Sequence, residues 1–318
     1  MTARPARGPD LTGAGLVLLA AACFGTLGPL SRFAGDAGVD SLTIVAWRAA
    51  IGGALVSIYL ATRAVAGLGR PVPIRALPVR DRWFIVAAAA ANTVLNLAAF
   101  IAFERITIAL TLLVFYLYPA IVAVVSVAWF GERLDRIRWA ALALSLVGMA
   151  LVVFQAPAGK PFDVLGIGLA LLAALMQTFY VLAARHGFAN VPGAQAGAMT
   201  MVGAALLYLL IAVFVGRLAA LTQPLRSGDA LLPVVLAGTV GAGVPTVAYI
   251  VGIRRLGPPR AAILATFEPV VGVLLAALLL AERPSPVQLV GGALIVASGV
   301  LLQLRPAGDV AEHEAYDR

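Results

Sequence analysis

The sequence is poor in the residues on which most enzymes and soluble domains are built. One cysteine, Cys23, in 318 residues excludes an internal disulfide and any multi-cysteine metal centre. Two histidines, His186 and His313, leave no material for a zinc site or a histidine-based triad. Phosphate-binding GxxxxGK[ST] loops, HExxH, GxSxG and CxxC are absent. No cofactor is therefore called for, and the chain does not read as an enzyme. Charge is scarce too, at 12% of residues where about 25% is usual in a soluble domain. Such a chain cannot cover a globular surface with polar groups, and a soluble fold is excluded.

What is present is apolar. Hydrophobic residues make up 62% of the chain and the mean hydropathy is +0.99. A bilayer core about 30 Å thick needs roughly 20 apolar residues per helix. That ruler divides the chain into ten runs near residues 11–31, 41–62, 83–103, 107–130, 137–154, 164–184, 194–215, 230–253, 261–281 and 287–304. The runs are continuous rather than alternating with period two, which rejects a membrane β-barrel. The expectation is an all-α integral membrane protein. Trp83, Trp129 and Trp139 fall at predicted span ends, as interfacial anchors should.

The first run follows Arg4 and Arg7 in the manner of a cleavable leader. However, its Gly13-Ala14-Gly15-Leu16 start recurs as Gly166-Ile167-Gly168-Leu169, followed in both places by leucines and alanines. It therefore reads as part of a duplication that the mature chain keeps. With both termini cytoplasmic, 16 of the 23 basic residues lie in inner loops and tails, 6 lie outside (Arg32, Arg105, Lys160, Arg217, Arg226 and Arg283), and Arg48 lies within a span. This bias sets the orientation and accounts for the net charge of +8 without a nucleic-acid partner.

The duplication is clearest at an offset of 150 residues. Arg105, Pro119, Glu132, Arg133, Ala143, Leu144 and Leu151 recur as Arg255, Pro269, Glu282, Arg283, Ala293, Leu294 and Leu301. Shared leucines arise readily by chance; shared Pro and Glu-Arg pairs do not. The organisation expected is a cytoplasmic tail over 1–10, a first five-helix repeat over 11–154, an outer linker over 155–163, a second repeat over 164–304 and a disordered cytoplasmic tail over 305–318. Because five is odd, the second repeat would lie inverted in the membrane, with Glu132 inside and Glu282 outside. Inverted repeats are the signature of alternating-access transporters, with a central site where the repeats meet.

These features resemble a known family. An apolar helix carrying Tyr118-Pro119 or Glu268-Pro269, then Gly131-Glu132-Arg133 or Ala281-Glu282-Arg283, then a closing glycine-containing helix, resemble the EamA-type ten-helix members of the drug/metabolite transporter superfamily. Trp47-Arg48 looks like that family's arginine in the second span. The resemblance covers residues 11 to 304 and implies a secondary transporter of the bacterial-type inner membrane. Such a protein is usually an exporter of amino acids or other small metabolites, with one cavity between its halves.

Charged side chains inside spans cost about 2.5–3.5 kcal/mol on insertion scales and so face a cavity or a partner. Arg48 and Glu268 qualify, to contact a carboxylate and an ammonium group respectively. By residue count Arg48 lies about 10 Å from the outer end of its span and Glu268 about 10 Å from the inner end of its own, heights that one amino-acid head group would not bridge. A desolvated Glu268 is also a candidate proton carrier, should transport be proton-coupled. Arg48 could instead snorkel, and Glu268 could bond a neighbouring helix.

Neutral polar candidates for the cavity wall are Asn92, Asn96, Tyr116, Tyr118, Gln177, Tyr180, Thr246 and Tyr249; interhelical hydrogen bonding would use the same residues. Candidate hinges or gates are Pro119, Pro269, Gly25, Gly28, Gly241, Gly243 and Pro245, with packing of small residues as the plainer role.

The first reading is thus gradient-driven export of amino acids or similar amphipathic metabolites, by a monomer or weak oligomer in contact with small-molecule substrate and lipid. The alternatives are efflux of cationic or aromatic drugs, or a non-transporting membrane scaffold or membrane enzyme.

Overall fold

The computed structural model of the chain describes residues 10–106, 108–132, 134–153, 163–279 and 285–303. Arg4, Arg7, Arg133, Lys160, Glu282, Arg283, residues 155–162 of the linker and the tail over 305–318 lie outside the described residues.

Among the described residues fourteen α-helices follow in chain order. They are α1 (Leu11–Gly25), α2 (Leu27–Asp36), α3 (Ser41–Val65), α4 (Val79–Arg105), α5 (Ile108–Phe115), α6 (Tyr118–Phe130), α7 (Arg136–Val153), α8 (Val164–Leu182), α9 (Gly193–Phe214), α10 (Gly228–Gly238), α11 (Val244–Leu256), α12 (Pro258–Ala265), α13 (Glu268–Leu279) and α14 (Pro286–Gln303). There is no strand among the described residues.

Joined across their breaks, these helices make eight segments long and apolar enough to cross a bilayer: Leu11–Asp36, Ser41–Val65, Val79–Ala102, Thr111–Phe130, Val164–Gly187, Gly193–Phe214, Gly228–Leu256 and Pro258–Leu279. The fifth and tenth expected runs correspond to α7 and α14, each of 18 residues, with a shorter apolar stretch, Pro286–Leu301, in α14. The first span is longer than its hydropathy suggests, because the helix resumes after a break at Thr26 and stops only before Gly38, whose φ of +82° turns the chain.

Helix starts are fixed by side chains that accept the first free amides. Asp10 takes the N–H of Gly13 at 2.9 Å, Asp40 that of Thr43 at 2.9 Å and Ser227 that of Ala230 at 3.2 Å. Breaks follow the prolines. Pro119 and Pro269 cannot donate to the carbonyls of Phe115 and Ala265, and α5/α6 and α12/α13 part just ahead of them. Each pair nevertheless makes one span. Between α10 and α11 a π-helical turn, Thr239–Gly243, precedes Pro245.

Leu18, Ile58, Val86, Val124, Leu206 and Leu278 point outward and exposed, as lipid-facing side chains do. Inward, small residues let helices approach. The most extensive pairings are α7 with α14, α3 with α9, α4 with α8 and α1 with α11. Between α7 and α14, a Cβ on Gly148 would lie 2.7 Å from the Gly291 carbonyl oxygen, and one on Gly291 2.5 Å from that of Gly148. Arg260, expected in an inner loop, is instead buried at the start of α12 with 5% exposure.

Candidate functional site

The site is built on the two proline breaks. Where α5 ends, the helical ladder loosens over Tyr116 and Leu117; Tyr118 then opens α6. Where α12 ends, the Thr266 hydroxyl turns back to the Ile263 carbonyl at 2.6 Å, and Glu268 opens α13. The breaks thereby project Tyr116, Tyr118 and Glu268 into the space between the helices, with the Tyr116 hydroxyl against the Glu268 carboxylate.

Around this carboxylate stands a wall of rings. Phe115 meets Tyr116 edge-on at 5.2 Å and Tyr118 at 5.3 Å, and Tyr116 and Tyr118 are 6.0 Å apart. Phe24 of α1 stands edge-on to Tyr249 of α11 at 6.3 Å. The Tyr249 hydroxyl in turn faces the Tyr118 hydroxyl and the Gln177 amide of α8. Tyr180, one turn beyond Gln177, lies beside Thr200 of α9 and within the field of Tyr249. Tyr116, Tyr118, Tyr249 and Tyr180 are 1%, 2%, 3% and 5% exposed, so the ring cluster is closed to water in this conformation.

Arg48 of α3 lies near Tyr208 of α9 and senses Glu268 electrostatically. The two charges are thus brought to one region, which the residue count had placed at different heights. They do not touch: among the described residues no ion pair and no side-chain hydrogen bond joins them. Both side chains lie deep among helices yet stay partly accessible, as groups lining an internal space do.

Other candidates fall elsewhere. Asn96 donates to the carbonyl of Asn92 at 2.7 Å and to its side-chain oxygen at 3.0 Å, so this pair bonds within α4. Thr246 is half-buried, with its methyl 3.7 Å from where a Cβ on Gly197 would sit. Gly25 does permit close approach: a Cβ there would lie 2.8 Å from the Glu268 carbonyl oxygen. Gly28 is exposed with open space beside it, and supports no close contact. Gly241 accommodates Leu27, while Gly243 packs on the backbone of Gly52.

Phe24, Phe115 and Tyr208 were not anticipated. Tyr208 alone had a signal, a hydroxyl inside an apolar run, and it donates to the Thr93 carbonyl at 3.2 Å.

One edge of the cluster is braced by an arginine that sequence placed in a loop. The π-helical turn Ala183–Gly187 at the end of α8 leaves carbonyls without helical partners. Arg254 donates to one of them, that of Ala184 at 3.1 Å, and to two carbonyls of the loop that follows, those of Phe188 at 2.8 Å and Val191. Close by, the buried carboxylate of Asp81 accepts from the Asn190 amide at 3.2 Å. The Gln195 side chain brackets Val72, accepting from its N–H at 2.9 Å and donating to its carbonyl at 2.6 Å.

Long apolar helices that expose leucine and valine, and gather a carboxylate, a guanidinium and tyrosines inward, describe a multi-pass membrane protein with an internal polar site. The chain matches the EamA-like transporter family over residues 11–154 and again over 164–304, and it belongs to that family. A relative from Synechocystis sp., named an uncharacterized transporter, is 26% identical over 209 residues, covering 64% of this chain and 60% of that protein. The chain thus matches well under two thirds of that relative's length. A solved crystal structure shares the fold, with a TM-score of 0.75 and 23% identity over 92% of this chain and 96% of its own.

Proposed function

We propose that this membrane transporter is a secondary exporter of neutral amino acids, aromatic ones included, or similar amphipathic metabolites across the inner membrane by alternating access. The observation that carries the reading is that Arg48 and Glu268, both deep among the helices, lie within each other's electrostatic reach without direct contact. A guanidinium suits a carboxylate and a carboxylate suits an ammonium group, and a zwitterion supplies both. The rings beside Glu268 would take the apolar part of the substrate.

Two inverted repeats are supported by three features. The family matches twice, and the proline breaks recur 150 residues apart. The helix pairings also exchange with one another when the halves are exchanged, α1 on α11 answering α8 on α4. Both termini are read as cytoplasmic from the loop arginines. Export is taken from the family resemblance, and Glu268 is the candidate proton carrier if the gradient used is one of protons.

Efflux of organic cations has one observation in its favour, the rings of Phe24, Tyr116, Tyr118 and Tyr249 around a carboxylate, an arrangement suited to cation–π contact. Arg48 in the same space works against it.

Uptake of labelled neutral amino acids and organic cations into proteoliposomes decides between them. Saturable amino-acid flux above empty liposomes is expected. Cation flux alone would transfer the reading to the alternative, and no flux of any member at several pH values would overturn both. Cysteines placed singly at Glu132 and Glu282, after removal of Cys23, are expected to label from opposite sides; labelling from one side would overturn the inverted arrangement.

A further inference from the structure

Tyr249 is buried, at 3% exposure, and its hydroxyl makes no hydrogen bond among the described residues. Its surroundings are not apolar. The Tyr118 hydroxyl from α6 and the Gln177 amide from α8 face it closely enough to interact, yet neither completes a well-formed hydrogen bond to the Tyr249 hydroxyl. Three polar groups from three helices therefore converge on one point, and the buried hydroxyl of Tyr249 among them is left without a partner.

Such convergence is costly unless something completes it. A phenylalanine at 249 would fill the same space, keep the edge-on contact with Phe24 and require no partner. A buried donor left unpaired loses its water and gains nothing in return. The point also lies within the field of Glu268, beside the rings that enclose that carboxylate. A guest held at Glu268 by its ammonium group would thus bring its next few atoms here.

We propose that Tyr249, with Tyr118 and Gln177, is a subsite that reads a hydrogen-bonding atom on the substrate's side chain. The site then takes neutral amino acids bearing an amide or hydroxyl in preference to hydrocarbon partners of the same shape. This rests on the zwitterion reading above and adds a selectivity to it. The physical ground is an asymmetry of recognition: a site built to bond a polar atom rejects the analogue lacking it, because its own buried groups are then left unpaired.

The test is competition for uptake of labelled asparagine into proteoliposomes. Leucine is the near-isosteric competitor, and the tyrosine and phenylalanine pair repeats the comparison with a ring. In the unaltered protein asparagine is expected to compete at least about tenfold better than leucine, and tyrosine better than phenylalanine. Tyr249→Phe keeps the ring and is expected to bring both ratios close to one. Gln177→Leu serves as a second variant should the first fail to fold, with a partial loss of the asparagine preference expected. Equal competition by leucine and asparagine in the unaltered protein, with both transported, would overturn the subsite and leave the zwitterion reading standing. Ratios unchanged in both variants would do the same. Competition by no neutral amino acid at all would overturn the zwitterion reading and this one with it.

Discussion

Helices α5 and α6 part at Tyr116 and Leu117, just ahead of Pro119; helices α12 and α13 part at Thr266 and Phe267, just ahead of Pro269. The backbone behaves alike at both places, since in each the proline withholds one amide and the helix restarts with the residue before it. The side chains do not. The residue that restarts α6 is Tyr118, a neutral phenol; its counterpart restarting α13 is Glu268, a carboxylate. The two regions therefore share a scaffold device and divide the chemistry. One supplies rings and hydroxyls, the other the charge that those rings surround. On the zwitterion reading proposed above, a duplicated chain would keep its proline breaks in pairs while its charged binding group became single, because a substrate with one amine needs one carboxylate.

The largest effect should come from removing that single charge. Glu268→Gln keeps the shape of the side chain and is expected to lower transport by roughly thirtyfold or more, as loss of a desolvated charge contact of about 2–5 kcal/mol would. Tyr118→Phe, at the equivalent place, should cost much less. Transport rates in proteoliposomes, alongside melting temperatures in detergent, measure both. Unaltered flux in Glu268→Gln, or an equal loss in the two variants, would erase the division of labour.

The prolines test the shared half of the comparison. Pro119→Ala and Pro269→Ala each restore an amide in the first turn of a restarting helix, so that the two helices on either side of the break could join into one. If the breaks are where the helices bend during the transport cycle, each variant is expected to slow turnover several-fold, by similar factors, without loss of melting temperature. Slowing by one variant alone would assign bending to one half; slowing by neither would leave the breaks a static means of presenting Tyr116, Tyr118 and Glu268.

Much of this was legible in the chain. Continuous apolar runs gave the spans, and Pro119 and Pro269 at a fixed offset gave the breaks, because proline acts on its own backbone whatever surrounds it. The pairing of Arg48 with Glu268 was not legible. A residue count measures depth along one straight helix, and these helices are broken and cross one another. Phe24 and Phe115 were hidden for a different reason: in a run of alanines and leucines, a ring facing the site has the same local sequence as one facing lipid. Arg254 looked like a loop charge because sequence does not foretell the π-helical turn and the loop after it, whose carbonyls at Ala184 and Phe188 it meets.

The smallest effect concerns a second matched pair, at the helix starts. Asp10 caps α1 and is gripped by Arg255 at 2.9 Å and 3.0 Å; Asp163 caps α8 and meets Arg105 at 2.8 Å. The arginines recur at the 150-residue offset and each ties one half of the chain to the other. Yet the aspartates are held differently. Arg255 is the main reason the Asp10 carboxyl titrates below its ordinary 3.8, whereas for Asp163 the first cause is the N–H of Gly166, with Leu165 and Arg105 adding to it. Asparagine keeps the cap and loses the charge. Asp10→Asn should therefore lower the melting temperature slightly, and Asp163→Asn still less, since exposed ion pairs contribute little. Both carboxyls have lowered values in the folded state, so their contribution is present above about pH 4 and drains away as pH falls through those values. The gap between Asp10→Asn and the unaltered protein should be full at pH 7 and close toward pH 3. A gap that widens with acid, or a larger loss for Asp163→Asn, would mean that the caps, and not the arginines, distinguish the two ends.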